Sequence, residues 1–317
     1  MRASNFDKEI GKFIVILNLL TVRFDAFLSN FIEFLFIGLY MIIVSKYLGL
    51  MALPAIEIIQ QLFWASFTSH ALYSVVYIVN DFIDYQDVKK LQGNPLSYSF
   101  YKYRPMVYFN RSISIMIYLA CLYLLYLFNG LKALPNIHIV LGFVISLFAL
   151  SIWHSLAKSL TRALSFLFLR LIKYLLFLTI FTSLIEPCDD ILTMMVALPI
   201  TISYAIYTSL SYAKQKKLVN NKDESYTSFA MILTLLSLLD GFYLSSVKYS
   251  ILYIMSIIII GYLAVITPFF YVRTILRRFF GQENINFNVH VRRLLFGTFL
   301  TTIIAICEII IFDLLVI

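Results

Sequence analysis

Residues 57–87 read EIIQQLFWASFTSHALYSVVYIVNDFIDYQD, an apolar run that ends in one amide and three carboxylates, Asn80, Asp81, Asp84 and Asp87. Positions 57–80 are long enough to cross a bilayer, which takes about 20 mainly apolar residues as a helix. Ionised groups at the edge of a membrane are costly, so a cluster of them marks a functional site. In a helix, residues three and four apart share a face, which brings Asp81 and Asp84 together with Asn80 beside them. Paired carboxylates of this kind suit magnesium, a cation that prefers oxygen ligands and shares its shell with substrate phosphates. We therefore read Asn80, Asp81 and Asp84 as a magnesium diphosphate site. At about 100° per residue Asp87 falls roughly 120° around the helix from Asp81, so it is expected behind the metal ligands or in solvent. The plainer alternative is a solubilised helix end, which the macrodipole opposes because carboxylates are disfavoured at a helix C-terminus.

The rest of the chain resembles this stretch in its apolarity. Its 317 residues are 61% hydrophobic and 13% charged, with a mean hydropathy of +0.88, values outside the range of soluble globules. We expect an all-α integral membrane protein with nine transmembrane helices, near 29–48, 57–80, 107–128, 137–154, 162–183, 191–212, 227–246, 250–271 and 293–315. Residues 1–28 read as an amphipathic N-terminal segment at the interface. Residues 29–317 read as a single transmembrane domain, since no Pro-, Gly- or Ser-rich linker divides them.

Basic residues fill every second loop: Lys89, Lys90, Lys102 and Arg104; Lys158 and Arg162; Lys214, Lys216, Lys217 and Lys222; and Arg273, Arg277, Arg278, Arg292 and Arg293. Lys and Arg are retained on the cytoplasmic side, which predicts a cytoplasmic N-terminus and an outside C-terminus. The same distribution explains the net charge of +8 through topology and anionic headgroups, and argues against a nucleic-acid partner. Cys121, Cys188 and Cys307 form neither a disulfide framework nor a metal pattern. The four histidines, His70, His138, His154 and His290, lack the spacing of a zinc site.

Two further cations, Arg170 and Lys173, stand one turn apart inside the fifth span. Cations in a span usually face a polar cavity and pair with an acid or a substrate phosphate. The alternative is snorkelling towards the interface. Arg104 in the long connection after span two is a candidate to grip phosphate oxygens in bidentate fashion, with topology determination as its alternative role.

The stretch Asn80-Asp81-x-x-Asp84 resembles the first signature of the UbiA superfamily of intramembrane prenyltransferases, Asn-Asp-x-x-Asp-x-x-x-Asp, with the last Asp displaced by one. Within that superfamily the chain is most similar to the decaprenyl-phosphate phosphoribosyltransferases. Lys102-Tyr103-Arg104-Pro105 resembles their Lys-Arg-Phe-Arg-Pro, and Leu171-Ile172-Lys173 sits where they carry Leu-Ile-Arg. Ser211-Tyr212-Ala213 with Ser225-Tyr226-Thr227-Ser228 resembles their Lys-Arg-Tyr-Ala-Glu and Glu-Ser-Tyr-Thr-Ser. Arg23, Phe27 and Asn30 have the spacing of their Arg-Pro-x-Gln-Trp-x-Lys-Asn. Four positions depart: Ser29 stands at the Lys of that last motif, Leu210-Ser211 at the basic pair, and Lys214 where an acid is expected. Asp223 and Glu224 are substitutes for that acid if the loop folds back.

The resemblance implies a helical bundle of nine spans with a central cavity on the cytoplasmic side, in a bacterial inner (plasma) membrane. It implies magnesium as cofactor and transfer of phosphoribose from phosphoribosyl diphosphate to a polyprenyl phosphate. Asp81, Asp84 and Arg104 would be catalytic; Lys102, Arg104, Lys158, Arg170, Lys173, Tyr212 and Lys214 would bind substrate phosphate; and Asp87, Tyr226, Arg23 and Asn30 would support them. Prenyl transfer from a polyprenyl diphosphate to an aromatic or other acceptor is the alternative activity. The loss of acid at Lys214 and the Val88 in place of a carboxylate keep open a non-catalytic paralogue that binds isoprenoid lipid or a partner. A transporter ranks last, because the spans lack the Gly/Pro-broken, duplicated segments that mark many transporter sites.

Overall fold

The computed structural model describes residues 24–49, 53–84, 137–157, 159–185, 190–215 and 287–316, with isolated positions within 116–123 and 250–279. Every regular element among them is helical. The long ones are α1 (Phe24–Tyr47), α2 (Ala55–Tyr73), α3 (Val75–Asp84), α4 (Ile137–Leu156), α5 (Ser159–Leu184), α6 (Asp190–Gln215) and α7 (Phe287–Val316). Helix is the conformation such sequences must take in lipid, where each backbone polar group has to be satisfied within its own segment.

Among the described residues, five stretches are long and apolar enough to cross a membrane: Ala26–Tyr47, Ala55–Asn80, His138–Leu156, Thr161–Leu184 and Arg293–Ile311. They correspond to the expected spans near 29–48, 57–80, 137–154, 162–183 and 293–315. The sixth expected span, 191–212, lies within α6, whose apolar part is the shorter Ala197–Leu210. The spans expected at 107–128, 227–246 and 250–271 fall mostly or wholly outside the described residues, as does nearly all of the N-terminal segment 1–28.

Helix α1 is the hub of the packing. It lies against α2, α5, α6 and α7, while α5 also packs on α2, α4 and α6. Its side chains from Phe34 to Val44 are almost all shut away from the surface. Close approach is made possible at Gly38, where a Cβ would run into Leu62 of α2 and stand 3.2 Å from the Phe177 ring of α5. The helix stops at Gly49, whose φ of 67° is a left-handed conformation open to glycine. There the Gly49 amide donates to the Lys46 carbonyl at 3.0 Å.

The expected second span is one continuous run in sequence but two helices in space. Ser74 separates α2 from α3, its hydroxyl donating to the Ala71 carbonyl at 2.7 Å and its amide to the His70 carbonyl at 2.9 Å. Tyr77 and Ile78 then donate to the Ser74 carbonyl, so the backbone stays satisfied through the break. Back-bonding by a serine hydroxyl is a known cause of helix bending. Its effect here is to set α3, the carrier of Asn80, Asp81 and Asp84, apart from α2 and against α4.

Candidate functional site

The charged centre of the bundle is a carboxylate that the sequence reading passed over. Glu33, one turn beyond Asn30 on α1, accepts two hydrogen bonds from Arg170 NH1, at 3.1 Å to Oε1 and 2.8 Å to Oε2. It also takes the Lys173 ammonium in an ion pair and the Tyr174 phenol at 3.0 Å. Lys173 is 0% exposed, and its ammonium makes a second bond, to Asn30 Oδ1 at 2.9 Å. Around the ammonium stand the rings of Tyr174, Phe34 and Tyr73, with centroids 4.7, 5.3 and 5.4 Å away. Buried as it is, Lys173 does not snorkel: its head group ends inside the bundle.

Matched spacing explains the meeting. Asn30 and Glu33 are three apart on α1, Arg170 and Lys173 three apart on α5, so each pair forms one helical face and the faces oppose each other. Two cations share one carboxylate, which leaves the cluster with a net charge of +1. Coulomb attraction is strong where water is scarce, and so is the cost of leaving either sign alone.

From this centre polar contacts run outward along two routes. On the first, the Asn30 amide nitrogen donates to His70 Nδ1 at 3.1 Å and to the Tyr77 phenol at 3.4 Å. The ammonium of Lys173 can only donate, which fixes the Asn30 oxygen towards it and the amide nitrogen towards His70. His70 Nδ1 must then be an acceptor, placing the ring proton on Nε2. On the second route, the Arg170 guanidinium lies 4.8 Å over the Phe166 ring, which stacks on Tyr212 of α6 at 4.2 Å and 13°. His154 on α4 borders that pair, 5.7 Å from each ring, and meets the Ser165 hydroxyl at 2.9 Å. Arg170 keeps one buried donor, Nε, with no hydrogen-bond partner among the described residues.

Asn80, expected among the metal ligands, makes its hydrogen bonds to α4. Its Oδ1 accepts from Ser151 at 2.9 Å and from Ser155 at 2.7 Å, both on α4. An amide oxygen has two lone pairs, and both are used. In this arrangement Asn80 ties α3 to α4, with the single Ser151 proton shared between the Asn80 oxygen and the Val76 carbonyl at 3.2 Å. Ser151 and Ser155 are one turn apart, a spacing visible in sequence but informative only once α4 is known to face α3.

Of the remaining expected site residues, Asp81 and Asp84 belong to α3 and Lys214 to α6, but their side chains lie outside the described residues, as do Arg23, Asp87, Lys102, Arg104, Lys158 and Tyr226 altogether. Helical periodicity still places the two aspartates. Asp81 and Asp84 follow Tyr77 by four and seven residues, about one and two turns on along α3. Among the described residues no three His, Cys, Asp or Glu side chains gather to hold a metal. As donors, the Asp81 and Asp84 carboxylates one turn apart are of the oxygen type that magnesium takes.

No family model, no curated protein and no solved structure matches the chain.

Proposed function

We propose that this chain is an intramembrane transferase of the UbiA type, with nine spans and a central site on the cytoplasmic side, that acts on a diphosphate donor. The observation that carries the reading is the place of α3. Tyr77, bonded to Asn30 in the buried cation network, lies about one and two turns before Asp81 and Asp84 on that helix. On this reading the acidic metal donors would stand at the same end of the bundle as the cation network. The most specific form of the proposal is transfer of phosphoribose from phosphoribosyl diphosphate to a polyprenyl phosphate, the activity implied by the resemblance of Leu171-Ile172-Lys173 and Ser211-Tyr212-Ala213.

In that reaction the bond from the ribose anomeric carbon to diphosphate oxygen breaks with its electron pair. A phosphate oxygen of the acceptor lipid forms the new bond to that carbon. Asp81 and Asp84 would hold the magnesium ion, which when bound would supply charge neutralisation for the departing diphosphate. Arg104, Lys102, Lys158 and Lys214 add positive charge around the phosphates, the form of electrostatic help that acts where charge develops. Asn80 keeps α3 in place through Ser151 and Ser155, while Arg170 would meet the lipid phosphate and the enclosed Lys173 would support it through their shared partner Glu33. Transfer of a prenyl group from a polyprenyl diphosphate to an aromatic acceptor uses the same parts, with an allylic carbon in place of the ribose.

One observation favours a second reading, a lipid-binding paralogue without catalysis. Glu33 already engages both Arg170 and Lys173, and Lys214 stands where an acid is expected. The deciding experiment incubates membranes containing the protein with magnesium and labelled phosphoribosyl diphosphate or prenyl diphosphate, with Asp81→Asn alongside. Lipid-soluble label that disappears in Asp81→Asn supports transfer. Folded protein that turns over neither donor overturns it and leaves the binding reading.

A further inference from the structure

Two neighbouring residues at the end of α4, His154 and Ser155, reach three other helices. Successive helical residues point about 100° apart, so such a pair can address two sides at once. Ser155 turns to α3 and donates to Asn80 Oδ1 at 2.7 Å. His154 turns to α5 and α6. Its Nδ1 meets the Ser165 hydroxyl at 2.9 Å, and its ring centroid lies 5.7 Å from those of Phe166 and Tyr212. The Ser165 proton goes to the Arg162 carbonyl at 2.9 Å, so Ser165 Oγ accepts from His154. That places an imidazole proton on Nδ1 and fixes the ring. Phe166 stacks on Tyr212 at 4.2 Å and 13°, which carries the ring contact on from α5 to α6. His154, Ser155 and Ser165 are all buried, where a polar group left without its hydrogen bond is costly.

We propose that His154 is a positioning residue which, with Ser155, forms a joint that holds two motif-bearing helices in register: α3 with Asn80-Asp81-x-x-Asp84, and α6 with Ser211-Tyr212-Ala213. In the chain these helices are separated by α4 and α5; in space α3 packs on α4, α4 on α5 and α5 on α6. Asn80, Ser155, His154, Phe166 and Tyr212 form a path across that series, with Ser165 as the anchor of the imidazole. The proposal rests on the transferase reading for what the two helices hold between them, a diphosphate with its magnesium. Such a ligand is bound well only where the separation of the helices is fixed. A misplacement of about 1 Å at reacting groups costs on the order of 100-fold in rate, even when its source lies far from the chemistry. His154 and Ser155 belong to neither motif, and their place in the site follows from which helices touch.

The test titrates inorganic diphosphate with magnesium into the purified full chain in detergent, and reads a double-mutant cycle across the joint. Ser155→Ala cuts its α3 side and Phe166→Leu its α6 side. Distant sites without a shared partner act independently, so coupling between these two reports the path through His154. The double variant should lose about fivefold less affinity than the product of the two single losses. In a His154→Leu background the losses should simply multiply. His154→Leu alone should weaken binding by about fivefold, and His154→Asn, which returns a donor towards Ser165, should recover part of that loss. If His154→Leu does not fold, His154→Phe keeps a ring beside Phe166 and Tyr212, lacks the donor and takes its place in the cycle. Losses that multiply in the wild-type background overturn the inference, and so does coupling that persists without His154. Folded wild type that binds no diphosphate counts against the transferase reading, and the joint is then decided by the same cycle in thermal midpoints, where the two shifts should fall short of additive.

Discussion

Lys173 and Glu33, 140 residues apart in the chain, form an ion pair inside the bundle in which the same carboxylate also receives Arg170 and Tyr174. Removing one member of such a buried set exposes the others to an uncompensated charge, at a cost of about 3–5 kcal/mol. Glu33→Ala is therefore expected to lower the thermal midpoint of the detergent-purified protein sharply. Glu33→Ala with Lys173→Met should lose less than the two single losses added together, because the pair interacts directly. Strict additivity in that double-mutant cycle would show that the two side chains are not coupled.

Asn30 carries three contacts on one small amide, to Lys173, His70 and Tyr77. Asn30→Leu keeps much of the volume but strands a charged donor, which costs about 1–3 kcal/mol. Asn30→Asp would instead give Lys173 a second carboxylate while removing the amide donors to His70 and Tyr77. Denaturation curves of the two variants should show both below wild type, and a neutral Asn30→Leu would contradict the network.

Asn80 is expected to act on the geometry of α3 rather than on a metal. Ser151→Ala and Ser155→Ala each remove one bond to its oxygen and should cost about 0.5–1.5 kcal/mol. The two serine variants should also weaken magnesium-dependent diphosphate binding in parallel with Asn80→Ala, while Asp81→Asn abolishes it. Serine variants with wild-type diphosphate affinity would separate the α3–α4 contact from the site.

Gly38 is a packing requirement. A Cβ there meets Leu62 and Phe177, so Gly38→Ala is expected to destabilise by about 1–3 kcal/mol through overpacking. Leu62→Ala opens space at that spot, and the double variant should be more stable than Gly38→Ala alone. A melting comparison of the three proteins decides it.

Glu308 on α7 has one buried carboxylate oxygen without a hydrogen-bond partner among the described residues. Burial of a polar group left unbonded is unfavourable, so Glu308→Leu should raise stability by about 1 kcal/mol or more. A drop in the midpoint would assign the carboxylate a partner that this reading lacks.

The helices were legible wherever a run of about 20 apolar residues announced them, as in α1, α4, α5 and α7. The break at Ser74 was not, because its backbone stays helix-like, at φ −64° and ψ −13°, and only a hydroxyl turns against the preceding carbonyl. Arg170 and Lys173 stood out as cations in an apolar run. Glu33 does not, although it obeys the same rule, because it belongs to no motif and its partners arrive 137 and 140 residues later. Two polar pairs at equal spacing in apolar runs, Asn30 with the acidic Glu33 and the basic Arg170 with Lys173, are the signal that finds it. The role of Asn80 was hidden for another reason: a motif gives a residue type, while its partners on α4 follow only from which helices touch.

The ion pair between α1 and α5 also ties the assembly of the protein to the order of its synthesis. Glu33 emerges from the ribosome 137 residues before Arg170, an interval on the order of 10 s at roughly 5–20 residues per second. Throughout that time α1 bears a carboxylate for which its final countercharges have not been made. A chain halted before α5 keeps that burden permanently, because neither Arg170 nor Lys173 is ever made.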